Sequence, residues 1–541
     1  MIQDEYLPLL KKVERPGRYT GGEFGCTYKD KSAVDLRMCF CFPDTYEIGM
    51  SNLGVKILMH CLNKLDFLWC ERAYAPWDDM EKLLRENRLP LYALESGDPL
   101  GEFDIVAFTL QYELSYTNAV NMLDLAGIPW YSAERGEDDP LVIGGGPCAY
   151  NPEPVAEFFD LFSIGEGEEH LCEIASLYCA CRKKGMKKAE FLRLASHIKG
   201  TYVPSLYDVE YNEDGTVRSI APKYEDVPAV VEKRIIQDLD KAPFPAAFEM
   251  PYIEAVHDRV TLEVFRGCIR GCRFCQAGMI YRPVREKSPE VLLRQAQTLY
   301  ANTGYDEISL TSLSISDYTC LRELTDGLIA WTDDKKVSLS LPSLRIDSFS
   351  RELMEKVASV RSSSITFAPE AGTQRLRDVI NKNVTEEDLM RSVSIAYGAG
   401  KDTLKLYFMN GLPTETLEDI KGISDLASAT VEQYWKTPGH GKRPPLVTIS
   451  VSSFVPKPFT PFQWEPQDTV ETLMEKNRYL GSVITNRKVR YTHHDAEVSR
   501  IEAVLALGDR RLSRALIEGR RRGFRFDAWD EFFDYGAWLD V

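Results

Sequence analysis

Arg259-Val-Thr-Leu-Glu-Val-Phe-Arg-Gly-Cys-Ile-Arg-Gly-Cys-Arg-Phe-Cys-Gln-Ala-Gly278 joins a β-type run, Arg259–Phe265, to a loop carrying Cys268, Cys272 and Cys275 in C-x3-C-x2-C spacing. Three thiolates on one short loop can reach three irons of a cubane cluster or three corners of a tetrahedral metal site. Protein Fe–S clusters are normally held by four thiolates, so a loop offering three leaves one iron open for another ligand. A structural zinc would want a fourth ligand close by. No Cys or His follows at finger-like spacing, and His257 upstream is the one candidate.

Downstream of this loop the pattern repeats. Strands are expected at Glu307–Thr311, Val337–Leu341, Ser364–Ala368, Thr403–Met409 and Leu446–Ser452. Helices are expected between them at Ser288–Asn302, Cys320–Trp331, Arg351–Val360, Gln374–Ile380 with Glu386–Tyr397, and Leu417–Trp435. Ser288-Pro-Glu opens the first of these with an N-cap and a proline at N1. Six βα units at this spacing predict a partial (β/α)6 barrel. Chemistry in such barrels gathers at the C-terminal strand ends. Cys268–Cys275, Ser312–Asp317, Arg345, Glu370 and Gly411–Glu415 all fall there.

Upstream, strands alternate with helices and glycine turns. Leu36–Phe42 reads as a strand, Ser51–Leu65 as a helix and Asp78–Leu84 as a second helix. Leu89–Leu94 and Asp104–Leu110 read as strands, Leu114–Ala126 as a helix, and Leu141–Gly146 and Leu161–Glu168 as strands running into glycine turns. The alternation predicts a Rossmann-like parallel sheet covered on both faces. Tyr202–Ile220, with Asp214-Gly215 at its centre, reads as a hairpin, and Pro243, Pro245 and Pro251 mark a connector. The domain reading is therefore a lead-in (1–34), a Rossmann-like domain (35–200), a hairpin and connector (201–250), the partial barrel (251–465) and a helical extension (466–541). Phe526–Trp538 is expected to pack back onto the barrel.

With 541 residues the chain needs several cores, and its 44% hydrophobic and 27% charged content is that of an ordinary folded protein. The sequence offers neither a membrane-spanning run nor a basic-apolar leader. Thirteen cysteines without a disulfide pattern suit a cytosolic, reducing setting. A net charge of −17 argues against a broad nucleic-acid-coating surface. From Arg487 to Arg525, however, eleven Lys/Arg stand against five Asp/Glu, ending in Arg520-Arg-Arg522, a local patch that could meet RNA.

The cysteine loop with Phe274 before its last Cys, on the first strand of a six-unit barrel, resembles the radical SAM superfamily. Ala277-Gly278, Pro369–Gly372, Lys405–Thr416 and Phe454–Trp464 are similar to a branch related to methylthiotransferase-like enzymes that carries an N-terminal cobalamin-binding-type domain. The resemblance covers most of 35–540, and relatives in that branch run further, so a shortened form is expected. It implies a [4Fe–4S] cluster on Cys268, Cys272 and Cys275, with S-adenosylmethionine (SAM) on the fourth iron and a flavodoxin or ferredoxin as reductant. It also implies Phe274 beside the adenine, Ser312 and Ser314 at the methionine amine, Glu370 at a ribose hydroxyl, and Arg345 or Lys405 at the carboxylate. A bland reading of Glu370 makes it the cap of the next helix.

Asp44-Thr-Tyr-Glu-Ile-Gly49, between the first strand and its helix, resembles the Asp-x-His-x-x-Gly signature of cobalamin domains, with Tyr46 in the histidine's place. Thr109, Gly144 and Gly145 would be the other cofactor-facing turns. An imidazole ligand is missing, so the domain either binds cobalamin with that face open or has kept the fold without the cofactor. The leading expectation is a cytosolic radical SAM enzyme methylating or otherwise functionalising a C–H bond of RNA, protein or another substrate. The alternative is an RNA- or ribosome-associated Fe–S protein that senses redox state without catalysis.

Overall fold

The computed structural model describes residues 3–341, 345–346 and 365–541. These residues form two units, Met1–Asp258 with Leu505–Val541, and Arg259–Val504.

In the first unit, β1 (Leu36–Phe42), β2 (Leu68–Tyr74), β3 (Ile105–Thr109), β4 (Leu141–Gly145) and β5 (Leu161–Ser163) form a parallel sheet in the order β2-β1-β3-β4-β5. A short β6 (Thr201–Tyr202) runs antiparallel at its edge. Every residue of β2 and β3 is buried, as a sheet with helices on both faces requires. The order is the flavodoxin-like one, which places a topological switch between β1 and β3. The hairpin follows as β7 (Tyr207–Tyr211) and β8 (Val217–Pro222).

β2 is where the sequence reading fails. Leu68-Trp-Cys-Glu-Arg-Ala-Tyr74 carries two charges at its centre, which hides its β pattern. Both are neutralised internally: Arg72 pairs with Glu95 (2.6 Å) and Glu23 (2.9 Å), and Glu71 pairs with Arg37 (2.5 Å). Leu89–Leu94, expected to be the strand, is an irregular stretch with one isolated bridge, Tyr92 to Pro99. The end of the chain differs as well. Phe526, Trp529 and Phe532 pack against Trp77 of this first unit, with ring centroids 5.1–5.2 Å apart, and not onto the barrel.

In the second unit, β9 (Val260–Glu263), a small ladder of β10 (Phe265–Arg266) with β11 (Arg285–Glu286), β12 (Glu307–Thr311) and β13 (Ser338–Ser340) come first. β14 (Ile365–Glu370), β15 (Thr403–Asn410), β16 (Leu446–Ser453) and β17 (Val489–His493) follow. They make two parallel sheets, β13-β12-β9 and β14-β15-β16-β17. Alternate residues Leu404, Leu406 and Phe408 of β15 join Val447, Ile449 and Val451 of β16 in a core with Val393, Tyr397, Ile423 and Leu426 of the covering helices. β17 is a parallel strand beyond the expected six, and the helix Val470–Val483 adds Leu480 to the same core. Residues 466–504 therefore belong to this unit rather than to a separate extension. The helix expected at Arg351–Val360 lies outside the described residues.

Candidate functional site

The cysteine loop follows β9 and the short β10 and is clamped from several sides. The backbone N–H of Arg273 donates to Ile380 O (3.0 Å), Phe462 N–H donates to Arg273 O (3.2 Å), and Asn381 Nδ2 donates to Gly271 O (2.8 Å). Arg282 Nη2 donates to Arg270 O at 2.8 Å. Gly267 has φ +86, and a Cβ there would lie 2.8 Å from the carbonyl oxygens of Tyr281 and Pro283, so only glycine lets the loop leave the strand this way. Preorganisation of this kind holds three ligands at fixed separations before any cluster arrives.

All three thiols are half-buried. The Arg270 N–H points at Cys268 Sγ (3.4 Å) and the Gly278 N–H at Cys275 Sγ (3.3 Å). Hydrogen bonds to sulfur stabilise a thiolate and tune an Fe–S centre. Burial raises the Cys272 and Cys275 thiols above the ordinary value; Lys382 and Arg345 oppose this at Cys272, and the Gly278 N–H does so at Cys275. Among the described residues no three Cys, His, Asp or Glu side chains converge on one ion. A cubane does not require that, because each thiolate takes its own iron.

The residues expected to meet SAM divide into two groups. Arg345, Glu370 and Lys382 all act electrostatically on Cys272. Glu370 is paired with Lys382 at 3.0 Å, and Arg345 donates through its N–H to Ser316 Oγ (2.9 Å). Glu370 does not cap the next helix, since Thr373 does so, accepting from Leu376 N–H. Its φ of +70 is uncommon for a non-glycine residue. Asn381, Asn383, Thr414 and Phe459 share this left-handed backbone in the same unit, a kind of strain that gathers at functional sites. Ser312 Oγ is buried without a partner among the described residues, which leaves it free to meet a polar ligand atom.

The second group is used otherwise. Ser314 Oγ donates to Asp317 (2.7 Å), and Asp317 accepts from Arg270 Nε (2.9 Å). Burial alone would raise the Asp317 carboxyl, but the donors from Arg270 and Ser314 hold it below its usual range. Ser314 thus braces the loop through Arg270. Phe274 packs on an apolar cluster that includes Ala371, Leu376, Ile380, Leu412 and Phe454. Lys405 is half-buried, not buried as a barrel strand would predict. It lies opposite Thr366, four residues before Glu370 along β14, with its ammonium 4.7 Å from the Tyr407 ring. Lys382 and Asn381 are the residues the sequence reading missed. The Asn381-Lys-Asn383 turn after a short helix was the available signal.

In the first unit, the expected cofactor residues are already engaged. Asp44 accepts from Thr45 N–H (2.6 Å) and from Tyr112 Oη, and Trp529 lies beside it. Tyr46 Oη donates to Glu23 (2.9 Å), Thr109 accepts from Gln111 Nε2, and Gly145 is register-paired with Thr109. Gly49 and Gly144 make room for the Tyr74 and Phe162 rings, which an added Cβ would meet at 2.2 and 2.6 Å. The cavity beside Tyr46, lined by Arg18, Tyr19, Tyr74 and Tyr92 among others, holds about 20 Å³, room for one water molecule. Tyr46, in the place of the ligand histidine, is committed to Glu23 and offers no imidazole to a cobalt.

The C-terminal arginines are similarly committed. Arg520 is buried against Glu81 (3.4 Å) and Asp124 (3.6 Å), Arg522 pairs with Glu518 (3.1 Å), and Arg525 pairs with Asp78 and with Glu81 (3.2 Å). The expected RNA patch is spent largely on the protein's own carboxylates.

Two family models match, "Radical SAM proteins, N-terminal" over residues 54–204 and "Radical SAM superfamily" over residues 262–427. The second unit carries a radical SAM domain. A similar protein is an uncharacterized protein of Methanocaldococcus jannaschii, 28% identical over 513 residues, 92% of this chain and 97% of that one. An uncharacterized methyltransferase of Pyrococcus horikoshii is 24% identical over 53% of this chain and 60% of its own length. The tRNA-2-methylthio-N(6)-dimethylallyladenosine synthase of Pelotomaculum thermopropionicum is 24% identical over 51% and 60%. Among solved structures, the radical SAM methyltransferase TsrM of Kitasatospora setae, with tryptophan and a SAM analogue bound, matches with a TM-score of 0.51 at 15% identity, covering 81% of this chain and 76% of its own. The cobalamin-dependent enzyme OxsB matches with 0.52 at 14% identity, covering 90% and 70%. At such identities these structures speak for the fold. Radical SAM proteins use a [4Fe–4S] cluster and SAM. The clamped three-thiol loop, with N–H donors on two sulfurs, cations beside the third and the orphan Ser312 hydroxyl, fits both. No helix among the described residues is long and apolar enough to cross a membrane.

Proposed function

We propose that this radical SAM protein is an enzyme that activates a C–H bond of its substrate, with methylation as the leading outcome. Cys268, Cys272 and Cys275 would hold the cluster, and Arg345, Lys382 and Ser312 would hold the charged and polar end of SAM. When bound, cluster and SAM together supply one-electron cleavage of a C–S bond and a 5′-deoxyadenosyl radical. The protein's own part is positional. The Arg270–Asp317–Ser314 brace fixes the loop, and the apolar cluster under Phe274 keeps water from one side of it. Lys382 and Arg345 offset negative charge beside Cys272.

The observation that carries this reading is the loop itself, three half-buried thiols locked by backbone hydrogen bonds after β9 and β10. The similarity to a methyltransferase of P. horikoshii supports methyl transfer as the reaction class. A reducing partner such as flavodoxin or ferredoxin is required, and thirteen cysteines without a disulfide pattern suit a reducing, cytosolic setting. The binding-only alternative loses its main support, because Arg520 and Arg525 are ion-paired within their own unit. No step is assigned to cobalamin.

Anaerobic reconstitution with iron and sulfide, then SAM and dithionite, tests the reading. 5′-Deoxyadenosine should form, and Cys272→Ala should abolish it. A fully assembled cluster that yields none would refute catalysis of this kind.

A further inference from the structure

In a flavodoxin-like sheet the ligand crevice lies at the C-terminal ends of the strands flanking the switch, here β1 and β3. That place is taken. The segment 526–532, far along the chain, packs beside the residues that follow β1 and β2 and on the helix Tyr116–Leu125 that comes after β3. Phe526 is 1% exposed, and its N–H donates to Asn118 Oδ1 (2.6 Å), while Asn118 Nδ2 donates to Pro43 O (2.9 Å), the residue that follows β1. Trp529 lies beside Asp44, the carboxylate at the switch. Phe526, Trp529 and Phe532 surround Trp77, which follows β2. Asp527, 2% exposed, accepts from Thr117 and from Trp538 Nε1 (3.0 Å), which ties the segment at its centre.

We propose that segment 526–532 is the resident occupant of this crevice, standing where a dissociable cofactor would sit, so that the full chain takes up no cobalamin there. Two features agree. The segment's aromatic rings supply the apolar surface around Trp77, and its backbone N–H satisfies Asn118, which in turn holds the carbonyl that follows β1.

The test uses the full, cluster-reconstituted chain. Incubated with about 100 μM hydroxocobalamin and desalted, it should retain less than about 0.1 equivalent by absorbance, as expected for a Kd weaker than about 1 mM. Near-stoichiometric retention would overturn the proposal. Limited trypsin digestion at Arg525 supplies the second readout. Trp529→Ala should speed that cleavage about tenfold by freeing the segment, while Trp529→Phe should speed it less because the ring packing survives. Far-UV circular dichroism of the full chain reports whether the variants still fold. Unchanged cleavage in Trp529→Ala with a native spectrum would show that the crevice does not hold the segment, and would likewise overturn it.

Discussion

Lys382 and Glu370 lie 3.0 Å apart, both mostly buried, and both act on Cys272. Removing the cation leaves Glu370 uncompensated beside a site that must accept a thiolate-bound cluster and the carboxylate of SAM. Lys382→Met should therefore raise the KM for SAM about 10- to 100-fold, with a smaller fall in kcat, when 5′-deoxyadenosine formation is followed against SAM concentration. An unchanged KM would remove Lys382 from the site. Asp527 carries a second residue-scale prediction. Burial pushes its carboxyl up to about 6, with the Thr117 and Trp538 donors opposing. A raised folded value means that the stability it contributes is complete below about pH 4 and is lost as pH rises through about 6. Asp527→Asn, which keeps the shape and replaces the proton with an amide, should stabilise the first unit at pH 7.5 by up to about 3 kcal/mol and flatten that pH dependence. Denaturation midpoints measured from pH 4 to pH 8 check it. A variant that is less stable than wild type at pH 7.5 would contradict it.

At the scale of elements, β14 and the helix after it depend on a close approach at Gly372. A Cβ there would lie 2.3 Å from Ile423 N and 2.4 Å from Asp419 O, both backbone atoms of the helix Leu417–Lys436. Backbone cannot swing aside as a side chain can, so Gly372→Ala should destabilise the second unit by more than about 2 kcal/mol and lower its iron loading. Full loading in the alanine variant would contradict this. The sequence made most elements legible where pattern and burial agree. Leu36–Phe42 and Thr403–Asn410 show clean β runs, and Ser288-Pro marks its helix by cap chemistry. It failed where burial and polarity part company. β2 is buried yet charged, because Glu71 and Arg72 find partners on other elements, Arg37, Glu23 and Glu95, which no local window can reveal. At the site, the three cysteines were readable because their spacing is local. Lys382 and the bracing of Arg270 by Ser314 and Asp317 were not, since those roles depend on which loops the barrel brings together.

For the molecule as a whole, the chain closes on itself: residues 505–541 belong with 1–258, while the cluster loop lies in 259–504. A chain ended at Val504 should consequently lose stability in the first unit, with Trp77 and Asn118 uncovered, yet still load iron on Cys268, Cys272 and Cys275. Iron analysis beside proteolysis of the two halves separates these effects. Equal loss of iron and of first-unit resistance would contradict the division. The central claim is that three thiolates leave one iron for SAM. Electron paramagnetic resonance of the dithionite-reduced, reconstituted protein tests it most directly. The account predicts a [4Fe–4S]⁺ signal that changes its g-values when SAM is added and is lost in Cys272→Ala. A full four-iron cluster whose signal is indifferent to SAM would contradict it.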